Sequence, residues 1–382
     1  MNAMYDYLIV GAGLYGACFA WRATRCGKRC LVIDRRAVPG GNLRCEQVEG
    51  IDVHTYGAHI FHTSDAEVWD LVTSLVPFNR FINSPLAMFE GQLYNLPFNM
   101  NTFYRIWGVR EPEDARRIIA EQREEVLRHM QAEGRTEPRN LEEQALLLVG
   151  RDIYRMLVEG YTRKQWGRPC DQLPPFIIRR LPVRFTFDNN YFNDRWQGVP
   201  VGGGYNGLIG KLLEGSEVRT GADFFDDRPY WESLAREVVY TGPIDRYYGY
   251  RFGRLAWRSL RFEQEILDRP NFQGNAVVNY TGLDVPYTRI IEHKHFTAFG
   301  DAVYENPRTV ITREYSCERE DGAEPFYPVN DAANTALYER YATLARQETA
   351  VHFGGRLAEY RYYDMGPLIA TVLERTRTLF NA

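Results

Sequence analysis

Gly11-Ala12-Gly13-Leu14-Tyr15-Gly16 has the G-x-G-x-x-G spacing that lets a backbone approach a pyrophosphate where a helix begins. Asp34, 18 residues after Gly16, stands where an acid takes a ribose hydroxyl. Tyr56-Gly57-Ala58-His59-Ile60-Phe61-His62 sets two histidines three apart. A metal site would want a third ligand of clear spacing, and His293-x-His295 is the only other cluster, so no metal is expected. The pair reads as lining the cofactor pocket, with a satisfied core histidine open for one of them. Tyr161-Thr162-Arg163-Lys164-Gln165-Trp166 leads into residues 167–182, which carry Pro169, Pro174, Pro175 and Pro182 and end near Arg179, Arg180 and Arg184. Aromatics at the base of a loop and guanidinium groups at its far end suit a lid over an anionic ligand. A solvated arginine pair is the plain alternative. Arg289, after Val285-Pro286-Tyr287-Thr288, adds a cation on a strand, and Tyr191 and Phe326-Tyr327-Pro328 add aromatics.

These residues need elements to hold them. Residues 5–10 read as a buried strand, the stretch to about Cys26 as a helix, and Cys30–Asp34 as a second strand, a β-α-β unit. Residues 111–160 read as amphipathic helices on Leu141, Ala145, Leu148 and Leu157, broken at Glu137-Pro138-Arg139-Asn140. Val183, Phe185 and Phe187 alternate before an Asp188-Asn189-Asn190 turn. Residues 245–263, 275–299 and 308–316 are strand-like and predict an antiparallel or mixed sheet. Leu337, Tyr341 and Leu344 mark a helix, Ala350–Phe353 a short strand, and Gly366-Pro367 the start of a last helix, whose positive N-terminal end could face a cofactor ring.

Bulk composition narrows the class. The 382 residues carry 46 basic and 50 acidic side chains with no basic block, so no nucleic-acid partner is expected. Apolar runs fall short of the roughly 20 residues of a membrane-spanning helix, and Tyr5–Val10 is too short for a signal sequence. Six cysteines without a C-x-x-C pair read as reduced thiols, with the cytoplasm as default compartment. The excess of tyrosine, 25 residues, suits clefts that are apolar on one side and wet on the other.

A second glycine turn, Pro39-Gly40-Gly41-Asn42, follows Asp34 closely and resembles the extended FAD-binding signature of the glutathione-reductase and amine-oxidase type, so FAD is favoured over NAD. The blocks GAGLYG, PGGN, YGAHIFHT, GYTRKQWG, RRLPVRFTFDNNYF, VPYTRIIEHKHF and GRLAEYRYYDM together resemble the prokaryotic UDP-galactopyranose mutase family, in order from about residue 5 to residue 378. That resemblance implies interconversion of UDP-galactopyranose and UDP-galactofuranose by ring contraction, without net redox. FAD is needed reduced, with its N5 as nucleophile at the anomeric carbon. It also implies an external reductant such as NAD(P)H or a reductase, a homodimer, and a role in cell-surface polysaccharide synthesis.

By the same resemblance Arg180 and Arg289 clamp the diphosphate, while His59, His62 and Asn83 surround flavin and sugar. Tyr191, Tyr327 and Tyr362 donate to the diphosphate. Tyr161 stacks on the base, Thr162 and Trp166 help bind the nucleotide, and Asn279 sits near the pocket wall. Gly11, Gly13, Gly16, Asp34, Arg35, Gly41 and Asn42 hold FAD, with Tyr56, Arg356, Asp364 and Met365. The implied fold is α/β: a discontinuous Rossmann-like FAD-binding domain (1–75, 198–242 and 345–382), a helical domain (98–190) with a mobile loop at 167–182, and a twisted, mostly antiparallel sheet domain (76–97 and 243–344). One departure stands out. The family commonly has Phe-Phe where this chain has Leu157 and Val158, which leaves a mutase acting on a dTDP-sugar such as dTDP-fucopyranose as an alternative. A flavin oxidase of the amine-oxidase type, and an FAD-holding module without turnover, are the remaining readings.

Overall fold

Leu8, Ile9, Leu31, Val32 and Ile33 are fully buried, as befits strands covered on both faces. In the computed structural model, which describes residues 4–179, 181–320 and 322–380, Tyr5–Val10 and Cys30–Asp34 are parallel strands joined by the helix Leu14–Arg25. Arg180 therefore lies outside the described residues. The chain divides into two units: Met1–Phe81 with Asp194–Trp257 and Pro325–Ala382, and Ile82–Asn193 with Arg258–Glu324.

The first unit is built on a five-stranded parallel sheet in the order Val351–Phe353, Ala235–Tyr240, Tyr5–Val10, Cys30–Asp34, Glu217–Thr220. The last helix, Met365–Phe380, returns to its start: Phe380 packs 5.8 Å from Tyr7 and 5.7 Å from Phe19, ring centre to ring centre. Residues 245–256 are not strand, contrary to the alternation. They form a helical turn at Ile244–Tyr247 and further turns, and the strand begins at Trp257. The buried Asp245 carboxylate accepts the Arg246 and Leu255 N–H groups, and Gly249 and Gly253 take positive φ, which curls this stretch. Tyr247 stands 4.8 Å from Phe353 and 4.9 Å from Tyr240, so 243–257 pack within the first unit. Residues 332–345 form a helix whose Tyr341 joins Ile244, Leu255 and Trp257 in the same unit.

The second unit couples helices to a mixed sheet. Helices Met100–Trp107, Pro112–Ala132, Leu141–Ile153 and Glu159–Trp166 bury Met100, Phe103, Leu141, Ala145, Val149 and Ile153 together. Asn140 starts the third by accepting the Glu143 N–H, which places the break where the sequence has Pro138. A π-helical turn, Tyr154–Val158, joins the last two. The sheet runs Trp257–Leu267, Thr309–Glu318, Arg289–Glu292, Val277–Tyr280, Leu86–Phe89, Gln92–Asn95, antiparallel except between Val277–Tyr280 and Leu86–Phe89. Two expectations change here. Val183–Phe187 make only one bridge, Val183 to Phe98, and Phe187 is exposed, because Phe185 turns onto Phe103 and Asp188 and Asn189 accept from Asn99, which caps Met100–Trp107. Beyond Glu292 the strand gives way to a 3-10 turn, His293–Phe296. Among the described residues of 167–182 the regular elements are 3-10 turns, at Cys170–Gln172 and Pro175–Ile177.

Candidate active site

The first unit holds a cradle made of backbone. Gly11 has φ +109°, and a Cβ there would strike Thr241 Oγ1 at 2.1 Å. A Cβ on Gly16 would lie 2.0 Å from the Gly11 carbonyl oxygen, and one on Gly41 3.1 Å from Gly13 Cα. The two glycine turns thus lie against each other, joined by the Gly40 N–H donating to Ala12 O at 2.9 Å. Asp34 accepts from the N–H of Ala12 and of Arg36, both at 2.8 Å, which fixes its carboxylate at the strand end. Arg36, not the exposed Arg35, reaches Asn42 Oδ1 (3.1 Å) and covers the Tyr56 ring at 4.6 Å. Asp34 is partly buried at the end of its strand, and two residues on is the side that returns toward it.

The histidines separate into two roles. His59 Nδ1 lies 2.7 Å from the Gly57 carbonyl, and burial pushes its pKa down to about 4, with Arg356 acting in the same direction. His59 is therefore a neutral ring at pH 7, carrying its proton on Nδ1. His62, on the strand Phe61–Thr63, lies with Nδ1 2.7 Å from Asp194 Oδ2, and Ser64 Oγ donates to the other Asp194 oxygen at 3.1 Å. Asp194 was missed; only its distance of 132 residues from His62 hides it. A Cβ on Gly366 would come within 2.8 Å of the His62 carbonyl, so the first turn of Met365–Phe380 sits on this strand. Asp364 O accepts the Leu368 N–H at the start of that helix, and Tyr362 stacks on Tyr327 with ring centres 6.0 Å apart. Among the described residues no group of three or more His, Cys, Asp or Glu is set to hold a metal ion.

The second unit holds a constellation made of side chains. Arg289 faces Asn279 across one strand pairing and Glu314 across the other, so sheet register puts all three on one face. Arg289 Nη2 donates to Tyr161 Oη, from the helix Glu159–Trp166. Its Nε lies 3.3 Å from the buried Glu314 carboxylate. Asn279 Oδ1 is buried and has no hydrogen-bond partner among the described residues. Asn83 and Tyr191 meet through backbone, the Tyr191 N–H donating to Asn83 O at 2.8 Å. Thr162 is buried, and Trp166 and Tyr191 pack on the helical core. Arg184 is spent on structure: it donates to the carbonyls of Asn190 and Tyr191 and to Asn193. Leu157 and Val158, in the π-helical turn, are buried in that same core.

Two family models match different stretches of the chain. The model of UDP-galactopyranose mutase matches residues 156–362, and that of the NAD(P)-binding Rossmann-like domain matches residues 9–75. The chain belongs to the UDP-galactopyranose mutase family. It is 37% identical over 375 residues to a probable UDP-galactopyranose mutase of Klebsiella pneumoniae, covering 97% of this chain and 93% of that one. It is also 36% identical over 381 residues to the dTDP-fucopyranose mutase of Escherichia coli, covering 97% of each. A crystal structure of reduced UDP-galactopyranose mutase shares the fold, with a TM-score of 0.74 over 99% of this chain and 96% of that one, at 15% identity. The mutase-family match begins at the π-helical turn and takes in Tyr161, Asn279, Arg289, Glu314 and Tyr362. No helix among the described residues is long and apolar enough to cross a membrane.

Proposed function

We propose that the chain interconverts UDP-galactopyranose and UDP-galactofuranose with reduced FAD held by its first unit. The observation that carries this reading is Arg289: a guanidinium fixed on a strand by Glu314 and Tyr161, suited to a departing diphosphate. The first unit's residues fit FAD, because Gly11, Gly16 and Gly41 pack the two glycine turns so closely that a Cβ has no room, and Asp34 stands at the strand end for a ribose. When bound, reduced FAD supplies N5 as nucleophile at the sugar's anomeric carbon.

The chain's own residues then bind, orient and compensate charge. Arg289 holds the diphosphate oxygens, and Arg180 is assigned the same task by motif. Tyr161 stacks on the base beside Thr162 and Trp166, while Tyr191, Tyr327 and Tyr362 donate hydrogen bonds to the diphosphate. His59, neutral, offers an apolar face to the flavin. His62, with Nδ1 turned to Asp194, presents its other nitrogen to flavin and sugar, and Asn83 is assigned to the same ligands by motif. Gly11, Gly13, Gly16, Arg35, Gly41, Asn42, Tyr56, Arg356, Asp364 and Met365 hold the cofactor, with Arg36 beside Asn42 and Tyr56. An NAD(P)H-linked reductant, a homodimer and a cytoplasmic location complete the proposal.

A second reading, a mutase of dTDP-fucopyranose, is favoured by the Escherichia coli relative and by aliphatic Leu157 and Val158. The test is to incubate dithionite-reduced holoprotein with UDP-galactofuranose and with dTDP-fucofuranose and to separate the products. Conversion to UDP-galactopyranose by reduced protein alone is expected. Equal turnover by oxidised protein sinks the mutase reading, and a preference for the dTDP-sugar selects the second one.

A further inference from the structure

Lys164 is a half-buried cation that the scheme above leaves without a task. Its ammonium donates to three backbone carbonyls, Tyr280 at 2.7 Å, Tyr287 at 2.9 Å and Val285 at 3.2 Å. Three N–H groups meet three acceptors, so the donor capacity is used up. All three carbonyls belong to one segment, the end of the strand Val277–Tyr280 and the loop that leads to Arg289. The loop is pinned at its neck by the Tyr280 N–H on Thr288 O at 2.9 Å, and Lys164 plugs its interior.

The same helix carries Tyr161, three residues earlier and so on the same side. Just before Tyr161 the helix backbone rests directly on the loop, for a Cβ on Gly160 would lie 2.3 Å from the Thr281 carbonyl oxygen. Thr281 Oγ1 also donates to Met156 O at 2.8 Å, within the π-helical turn that starts this helix. The helix is thus fastened to the loop at Met156, Gly160 and Lys164. Its Tyr161 meets the Arg289 that the loop delivers.

We propose that Lys164 is a positioning residue, which locks the loop delivering Arg289 to the helix delivering Tyr161 so that both meet a nucleotide diphosphate at a preset spacing. The inference rests on the proposed function, since it takes the diphosphate as ligand. A half-buried ammonium is an expensive way to fill space: desolvation pushes its pKa down to about 8, and Asp284 offsets this only in part. A methionine would fill the same volume without that cost, but it could not tie three carbonyls to one point.

The test is a double-mutant cycle on the FAD-loaded protein, with UDP as titrant in calorimetry. Lys164→Met should raise the UDP dissociation constant by about tenfold in the otherwise unchanged protein and by less than about twofold on top of Arg289→Ala, because the lock acts through Arg289. KM for the nucleotide sugar should rise as well, whereas lost fold stability alone lowers the amount of active holoprotein and leaves KM unaltered. Equal fold-changes in both backgrounds, or an unchanged UDP affinity and KM, overturn the proposal. If Lys164→Met does not yield holoprotein, Lys164→Arg enters the same cycle; its planar fork cannot aim at three converging carbonyls, and the same non-additivity is expected. If the unmutated protein binds neither UDP nor dTDP, the proposed function fails first, and the inference with it.

Discussion

The dinucleotide cradle and the Arg289 constellation solve recognition in opposite ways. The cradle lies within Gly11–Asn42 and works by what its residues lack, since at Gly11, Gly16 and Gly41 a single added carbon meets backbone or a neighbouring hydroxyl. The constellation gathers Tyr161, Asn279, Arg289 and Glu314 from over 150 residues of chain, and it works by side chains that sheet register brings abreast. A site of absences tolerates no addition. A site of side chains tolerates change around it but depends on whatever holds those side chains in place.

The largest effect should come from Gly16→Ala, whose Cβ has nowhere to go beside the Gly11 carbonyl. The purified protein is expected to carry almost no flavin, read from its visible absorbance. Gly13→Ala has 3.8 Å of room toward Gly41 Cα and should fold while holding FAD more weakly, so equal flavin contents in the two variants would falsify the cradle as described. Arg289→Ala strikes the other region. It should retain FAD and lose about 10²–10³ in turnover, the usual cost of removing a charge contact made in the transition state. Loss of flavin from this variant would break the separation between the two regions.

Next in size is a pH effect confined to the second unit. His293 is fully buried beside Thr312, 2.7 Å from its hydroxyl, and burial pushes its pKa down to about 3. Between about pH 6.5 and the lowered value the unfolded chain binds a proton that the folded one refuses, so stability falls as pH falls through this window. By pH 5 this amounts to about 2 kcal/mol, visible as a lower thermal midpoint. His293→Gln should show a shallower pH slope than the parent chain; an identical slope assigns the loss elsewhere. The smallest effect is expected at the aliphatic pair. Leu157→Phe overpacks the helical core at a cost of about 1–3 kcal/mol, without improving UDP affinity. A tighter UDP complex would place Leu157 at the base instead.

The same contrast governs what could be read in advance. The cradle and its β-α-β frame were legible because glycine spacing and short apolar runs are local signals, and Tyr5–Val10, Leu14–Arg25 and Cys30–Asp34 stand where the pattern puts them. The contacts of Arg36 with Asn42 and Tyr56 were not legible, because neighbouring arginines differ only in the side to which the chain turns them. Asp194 and Glu314 were invisible for another reason: a carboxylate is functional here only through a partner far away in sequence. Residues 245–256 misled because tyrosine and arginine in alternation say nothing of a buried aspartate that caps the turn. The family motifs supplied Tyr161 and Arg289, whereas the geometry supplied the reason why they belong together.

The order of strands in the first unit carries a consequence for how the molecule is made. Tyr5–Val10 gains one neighbour, Cys30–Asp34, almost at once, but its other edge pairs with Ala235–Tyr240, which follows Val10 by 225 residues. At ribosomal speeds of about 5–20 residues per second, that edge stays open for roughly ten to forty-five seconds, while the core shared by the helices Met100–Trp107 and Leu141–Ile153 draws on residues close to them in sequence. An apolar strand with an unpaired edge is a template for aggregation. The nascent chain should therefore depend on chaperone shielding of its first forty or so residues, and it should become competent to take up its cofactor only late in synthesis.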